Sequence, residues 1–343
     1  DNGSPTFPGW TFLFIFVCTH TLKQQVLDNM RRTAITLAAL ILAACSTESI
    51  NDSLELRYDS PASAWEETLP LGNGRIGAMP DGGIWKEHIV LNEESMWSGS
   101  EWDPVNPEAS QWLPAIREKL IEGDNLAAEQ LTYDHFTCAA GGGTNPRYGC
   151  YQTLGALEIT HHDTGKPVTE YSRVLSLRDA RAWTVFKNGL AFVEREYIAS
   201  LADDVIAIRL RSSERNSLSI KLSRQENAEF SAKDGIITMQ GTLPSGTEAP
   251  GEPNNGVHFV CKALAYSNGH LCNEADSIRI DDASQTIILI ASATSYNNED
   301  PEAVVDSTLD KVKKIYRLHL YDEIFYFLGS VRSSYMALTR AHR

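Results

Sequence analysis

Glu93, Glu94, Glu101 and Asp103 crowd together beside Trp97 and Trp102. Cleaving a glycosidic bond takes two carboxyl groups across the scissile bond, one as acid and one as base or nucleophile. Just upstream, Asn73, Arg75, Asn92 and Glu93 sit near Trp65 and Trp97, within Ala64–Met79 and Val90–Gly99. Amide, guanidinium and carboxylate groups beside indole rings are how a sugar-facing surface is built, because a ring can stack while polar groups bond its hydroxyls. The same residues have a plainer reading as a strand-turn-strand unit around Gly72-Asn73-Gly74, with both tryptophans filling a core. Acidic residues beside aromatics are also common on surfaces, so spacing alone assigns no carboxylate a catalytic role.

Other chemistries find less support. Ala139–Tyr148 is glycine-rich but lacks the G-x-x-x-x-G-K-[ST] phosphate loop, and no G-x-S-x-G nucleophile elbow occurs. His161 and His162 are adjacent, so a helix could not present both rings to one metal. A net charge of −15 disfavours nucleic acid, which wants a basic face. A neutral sugar tolerates that charge. No cofactor or metal is expected.

Cys138, Cys150, Cys261 and Cys272 could close two short disulfide loops, Cys138 with Cys150 and Cys261 with Cys272. Free buried thiols are the alternative. Zinc is disfavoured by the absence of C-x₂-C spacing.

The front of the chain reads as address rather than fold. Met30-Arg31-Arg32 opens a basic region, Thr33–Ala44 is a short uncharged run, and Leu42-Ala43-Ala44-Cys45 is a lipobox. Residues 30–45 are therefore expected to be a lipoprotein signal peptide with Cys45 the lipidated residue, and 46–53 a polar tether. The expected location is the periplasm or cell surface of a bacterium, with the membrane met only through the anchor. Residues 1–29 precede that signal and read as a mis-set upstream segment.

From Leu54 onward, period-two alternation dominates. Leu218, Ile220 and Leu222 alternate with polar neighbours as a half-buried strand, and Ile206, Ile208 and Leu210 do the same. Asn188-Gly189 predicts a type I′ hairpin, and Asp234-Gly235 and Asn268-Gly269 predict further tight turns. Ile287–Ala293 is apolar enough for a central strand covered on both faces. Two helices interrupt this pattern: one with Leu113, Ile116 and Leu120, stopped by Gly123, and one capped by Asp124. Asp300-Pro301 opens another over Ala303–Ile315. The expectation is an all-β fold, a large antiparallel β-sandwich over 54–299 with a short helical excursion. A C-terminal linker helix would follow in 300–343, with an unplaced insert at 316–334.

Pro61-Ala-x-x-Trp65 through Gly72-Asn-Gly-Arg-Ile-Gly-Ala-Met79, Leu91–Gly99 and Asp103-Pro-x-Asn-Pro-Glu-Ala109 resemble the N-terminal region of family 95 glycoside hydrolases, chiefly α-L-fucosidases. Tyr151–Leu157, Tyr171–Leu177, Phe192–Tyr197 and Ala293–Ala303 continue the match in order. The resemblance implies a β-sandwich joined by a helical linker to a catalytic (α/α)₆ barrel that inverts the anomeric centre. Acid and water-activating groups sit in that barrel, so it assigns no catalytic residue to this chain and implies a missing C-terminal catalytic domain. The substrate implied is a fucosylated oligosaccharide or polysaccharide. Asn73, Arg75, Asn92, Glu93 and Trp97 would stand at the substrate rim or serve interdomain bonding. A non-catalytic, lipid-anchored carbohydrate-binding sandwich is the rival reading.

Overall fold

The computed structural model describes residues 54–101, 103, 105–138, 148–246 and 254–318. The leader, the lipobox with Cys45, the tether, Trp102, most of the glycine-rich segment and residues 319–343 lie outside these. In chain order the strands are β1 (Glu55–Tyr58), β2 (Leu71–Gly72), β3 (Ile76–Pro80), β4 (Lys86–Glu93), β5 (Gly155–His161), β6 (Val168–Ser176) and β7 (Arg181–Asn188). They continue as β8 (Ala191–Ser200), β9 (Val205–Ser223), β10 (Glu229–Lys233), β11 (Ile236–Thr242), β12 (His258–Ser267), β13 (His270–Asn273) and β14 (Ser277–Thr294). Helices α1 (Ala109–Glu122) and α2 (Asn125–His135) lie between β4 and β5, and α3 (Pro301–Leu318) follows β14.

β9 and β14 organise the molecule. They pair antiparallel along nearly their whole length, with register breaks around Ala283. The first half of β9 pairs with β8 and its second half with β5. Likewise the second half of β14 pairs with β12 and its first half with β13. One layer therefore runs β1-β6-β7-β8-β9-β14-β12-β11-β10, and the other runs from β2 through β3, β4 and β5 to the far halves of the same two strands. Long strands that change layer at a bulge are how a sandwich makes its corners. The expected antiparallel β-sandwich is the fold observed.

Between the layers, Ile89, Leu91, Leu157, Ile159, Ile220 and Ile280 meet Tyr197, Ile206, Ile208, Phe259, Ile288 and Ile290. The outer face of the first layer is also apolar. Ile198, Val205, Ala207, Val260, Leu264, Ile287 and Leu289 pack under Val305, Leu309 and Val312 of α3, at helical i, i+4, i+7 spacing. Each of those three side chains contributes about 1.5–3 kcal/mol by burial. This third layer corrects the half-buried reading of 206–210: alternation of Ile with Ala is compatible with burial on both faces, and both are buried.

Asp300 caps α3 by accepting from Ala303 N at 3.0 Å, and Asp124 caps α2 by accepting from Ala127 N at 3.1 Å. Gly123 ends α1 as expected, at φ 79°. The expected buried stripe on α1 is narrower, since Ile116 is buried but Leu120 is exposed.

Asp234-Gly235 forms the expected turn, with φ 52° and 77° as type I′ requires. The β7–β8 turn differs. Asn188 pairs with Ala191, so the two-residue loop is Gly189-Leu190, and only Gly189 has positive φ. That is the type II′ pattern, in which glycine takes the first central position. Asn268-Gly269 closes no hairpin: β12 and β13 run successively along β14, and Asn268 Oδ1 accepts from Ser284 N and Gln285 N across the bend.

The disulfide expectation is also corrected. All four cysteines of the sandwich are free thiols. Cys261 faces Ser292 on β14 and Cys272 faces Arg279 on the same strand. At about 3.3 Å per residue their partners stand tens of ångströms apart, far beyond the roughly 4.4–6.8 Å between Cα atoms that a disulfide spans. Cys138 Sγ accepts from the Tyr148 hydroxyl at 2.8 Å, and Cys150 Sγ lies 3.8 Å from Ser98 Oγ.

Candidate functional site

The Gly72-Asn73-Gly74 turn ends in an amide that ties several segments together. Asn73 Oδ1 accepts from the backbone of Arg75 and Ile76, both at 2.9 Å, while Nδ2 donates to Ser200 O at 3.0 Å and Asp204 Oδ1 at 2.9 Å. Arg75 then donates through Nε to Asp204 Oδ2 at 2.7 Å and through Nη1 to Glu93 Oε1 at 3.1 Å. Glu93, almost fully buried at the end of β4, receives Ser95 N at 2.8 Å and Ser95 Oγ at 2.7 Å on its other oxygen. Since the Ser95 proton is given to Glu93, the 2.5 Å contact to Thr294 has Thr294 as donor. Thr294 Oγ1 in turn accepts from Tyr296 N at 3.3 Å. One polar chain thus runs from the first turn to the end of β14.

Ser95 and Tyr296, at the end of that chain, line an open cleft. Trp97, Tyr148 and Tyr296 face it, with Glu94, Glu101 and Asn255, and it encloses roughly 1110 Å³. The Trp97 indole N–H donates to Tyr148 O at 3.0 Å, and its ring meets Tyr151 edge-on at 6.3 Å between centroids. Burial, followed by the nearby Glu93 charge, pushes the Tyr151 phenol up. Gly149, at φ 58°, lets the chain pass tightly by: a Cβ there would run into Ser98 O.

The expected site residues therefore separate. Asn73, Arg75 and Glu93 form one network with a structural task, and Trp97 stands beyond it on the cleft. Asn92 Oδ1 is sealed away with no hydrogen-bond partner among the described residues. Neither tryptophan fills a core, since Trp65 is 59% exposed and Trp97 50%. Glu93 has both oxygens engaged, and Asp103 accepts from Val105 N at 2.9 Å. Among the described residues, Glu94 and Glu101 are the carboxylates that line the cleft. Tyr148, Asn255 and Tyr296 were not legible as site residues, because they come from segments far apart in the chain. Among the described residues no group of three His, Cys, Asp or Glu side chains could hold a metal ion, and no helix is long and apolar enough to cross a membrane.

Residues 56–299 match the family model described as "Glycosyl hydrolase family 65, N-terminal domain". The chain belongs to this family. The glycosyl hydrolase N-terminal domain also has named relatives. "Alpha-L-fucosidase 2" of Arabidopsis thaliana is 26% identical over 78% of this chain and 33% of its own length. "Probable alpha-fucosidase A" of Aspergillus niger is 33% identical over 52% of this chain and 21% of its own. A protein of the same name from Aspergillus oryzae is 22% identical over 79% and 37%. The chain thus spans between 21% and 37% of the length of these relatives. These relatives bear out the family 95-like N-terminal domain expected from the motifs.

Two of the matched motifs serve the interior of this glycosyl hydrolase domain. From Phe192–Tyr197, the fully buried Arg195 donates to Glu87 Oε2 at 2.9 Å and to Ile84 O at 2.6 Å, and also reaches Gly83 O. The Tyr197 hydroxyl donates to the other Glu87 oxygen. From Tyr171–Leu177, Arg173 lies over the Tyr58 ring and donates to Ser60 O at 2.7 Å and Glu67 O at 2.5 Å. Both arginines satisfy carbonyls of irregular segments that no strand can pair.

Proposed function

We propose that this chain is the N-terminal β-sandwich part of an exported α-L-fucosidase that hydrolyses terminal α-L-fucosides of glycans with inversion. The observation that carries this reading is the run of α-fucosidase relatives aligned across the sandwich. The geometry accords with a supporting role: Glu93 is locked by Arg75 and Ser95, and the cleft offers rings and amides for holding a sugar rather than an assembled acid–base pair. On this reading the acid and the water-activating groups belong to a catalytic barrel outside the N-terminal domain. Lipidation at Cys45 holds the enzyme at a bacterial surface or in the periplasm.

A chromogenic α-L-fucoside tests this. The sandwich by itself gives no turnover, and an extended enzyme that joins it to a catalytic barrel does. Turnover by the chain alone would move the chemistry into the sandwich. A second reading, a carbohydrate-binding sandwich without catalysis, is favoured by the exposed Trp97 and Tyr296 rings, and inactivity of the extended enzyme would select it.

A further inference from the structure

We infer that the cleft between Trp97, Tyr148 and Tyr296 is a binding subsite for a neutral glycan segment, separate from any fucose pocket. Three observations carry it. The first is ring presentation: Trp97 is half exposed with its ring held in place, and Tyr296 is largely exposed on a backbone that is tied down. The indole is fixed by its bond to Tyr148 O and its edge contact with Tyr151, and the Tyr296 backbone is pinned by Thr294 Oγ1. Rings held before binding lose little freedom when a sugar stacks on them. The polar chain from Asn73 to Thr294 ends on the Tyr296 backbone.

The second observation is charge. Among the described residues lining the cleft there are two carboxylates, Glu94 and Glu101, and no Lys, Arg or His. A uronic-acid or sulfated chain would meet like charge from these two carboxylates, which disfavours it on specificity grounds. Hydroxyl groups, by contrast, find acceptors in those carboxylates and both donors and acceptors in Asn255 and Asn297. The third is size. The volume lies at or above the upper end of that taken by small-molecule sites, room for more than one sugar ring.

The identity of the polymer as a fucosylated one rests on the function proposed above; the preference for a neutral chain does not. The test therefore measures binding without turnover. The full chain is titrated calorimetrically with a fucose-free xyloglucan oligosaccharide and with a polygalacturonate oligomer of similar length. The neutral oligosaccharide binds and the acidic one does not. Trp97→Ala and Tyr296→Ala each weaken binding roughly tenfold or more, as loss of a central aromatic anchor does, whereas Trp97→Phe keeps most of it. Trp65→Ala, exposed but outside the cleft, leaves it unchanged. Near-ultraviolet circular dichroism confirms that each variant is folded. Failure to bind the neutral oligosaccharide, equal binding of the acidic one, or full binding by Trp97→Ala would overturn the assignment and leave the cleft as a protein-docking face.

Discussion

Arg75 and Glu93 hold each other at 3.1 Å where the first turn meets the end of β4, with the glutamate sealed from water and the arginine partly open to it. The asymmetry decides what each contributes. Arg75→Met leaves a buried carboxylate with only Ser95 as donor, and costs about 2 kcal/mol, below the figure for a fully buried pair because water reaches the site from the arginine side. Asp204→Asn, at the exposed end of the same network, costs less than about 1 kcal/mol. Urea denaturation of both variants checks the ranking. Equal losses would mean that Glu93 is not the group being protected.

Lys262 plays the corresponding part under α3. It lies buried in β12 and donates to Asp306 Oδ1 at 2.7 Å and Glu302 Oε1 at 2.9 Å. Burial by itself would lower its pKa, but the bonds to Asp306 and Glu302 outweigh it and raise the value above 10.5. A raised base contributes stability that is complete below the unfolded value and is lost as pH climbs through the folded one. The helix contact is therefore intact at neutral pH and weakens only beyond about 10.5. Lys262→Met keeps the packing and costs about 1 kcal/mol, whereas Glu302→Gln with Asp306→Asn strands a buried ammonium and costs more, about 2 kcal/mol. Hydrogen exchange in 301–312 reads the difference directly.

His161 gives the domain an acid limit. Its Nε2 is sealed with no partner among the described residues, and burial, then the positive charges of Arg195 and His162, holds its pKa well below 6.5. The unfolded chain takes up a proton first, so stability present above pH 6.5 declines as pH falls below it, until the depressed folded value is reached. The slope approaches 1.4 kcal/mol per pH unit at most. His161→Gln removes this slope between pH 6.5 and 5, which denaturant midpoints at several pH values will show; an unchanged slope would assign the acid sensitivity to other groups.

The thiols differ sharply in reactivity. Cys261 is fully buried, and burial alone pushes its thiol up to about 12. Cys150 is exposed. Iodoacetamide on the native chain labels Cys150 within minutes and spares Cys261 until denaturant is added, while non-reducing peptide mapping finds no Cys261–Cys272 link. A recovered Cys261–Cys272 peptide would contradict the strand register.

Much of the fold was legible in the sequence because strands announce themselves locally. Period-two alternation in 218–222, the Asp234-Gly235 turn, the Gly123 stop and the Asp124 and Asp300 caps depend only on residues a few positions apart. The glycosyl hydrolase family was legible for another reason: motifs such as Gly72-Asn-Gly-Arg75 keep order and spacing along the chain. What the sequence could not settle is pairing at a distance. Alternation gives a strand two faces without saying what covers the second, so only the packing of α3 revealed that 206–210 is buried on both sides. Cysteine spacing is silent on register, which places Cys261 and Cys272 far apart along β14. The same holds for the site. Asn73, Arg75, Glu93 and Trp97 look alike as polar and aromatic neighbours in one stretch. Three-dimensional burial makes the first three a brace and leaves Trp97 on the cleft, beside Tyr148 and Tyr296, which chain folding alone brings to it.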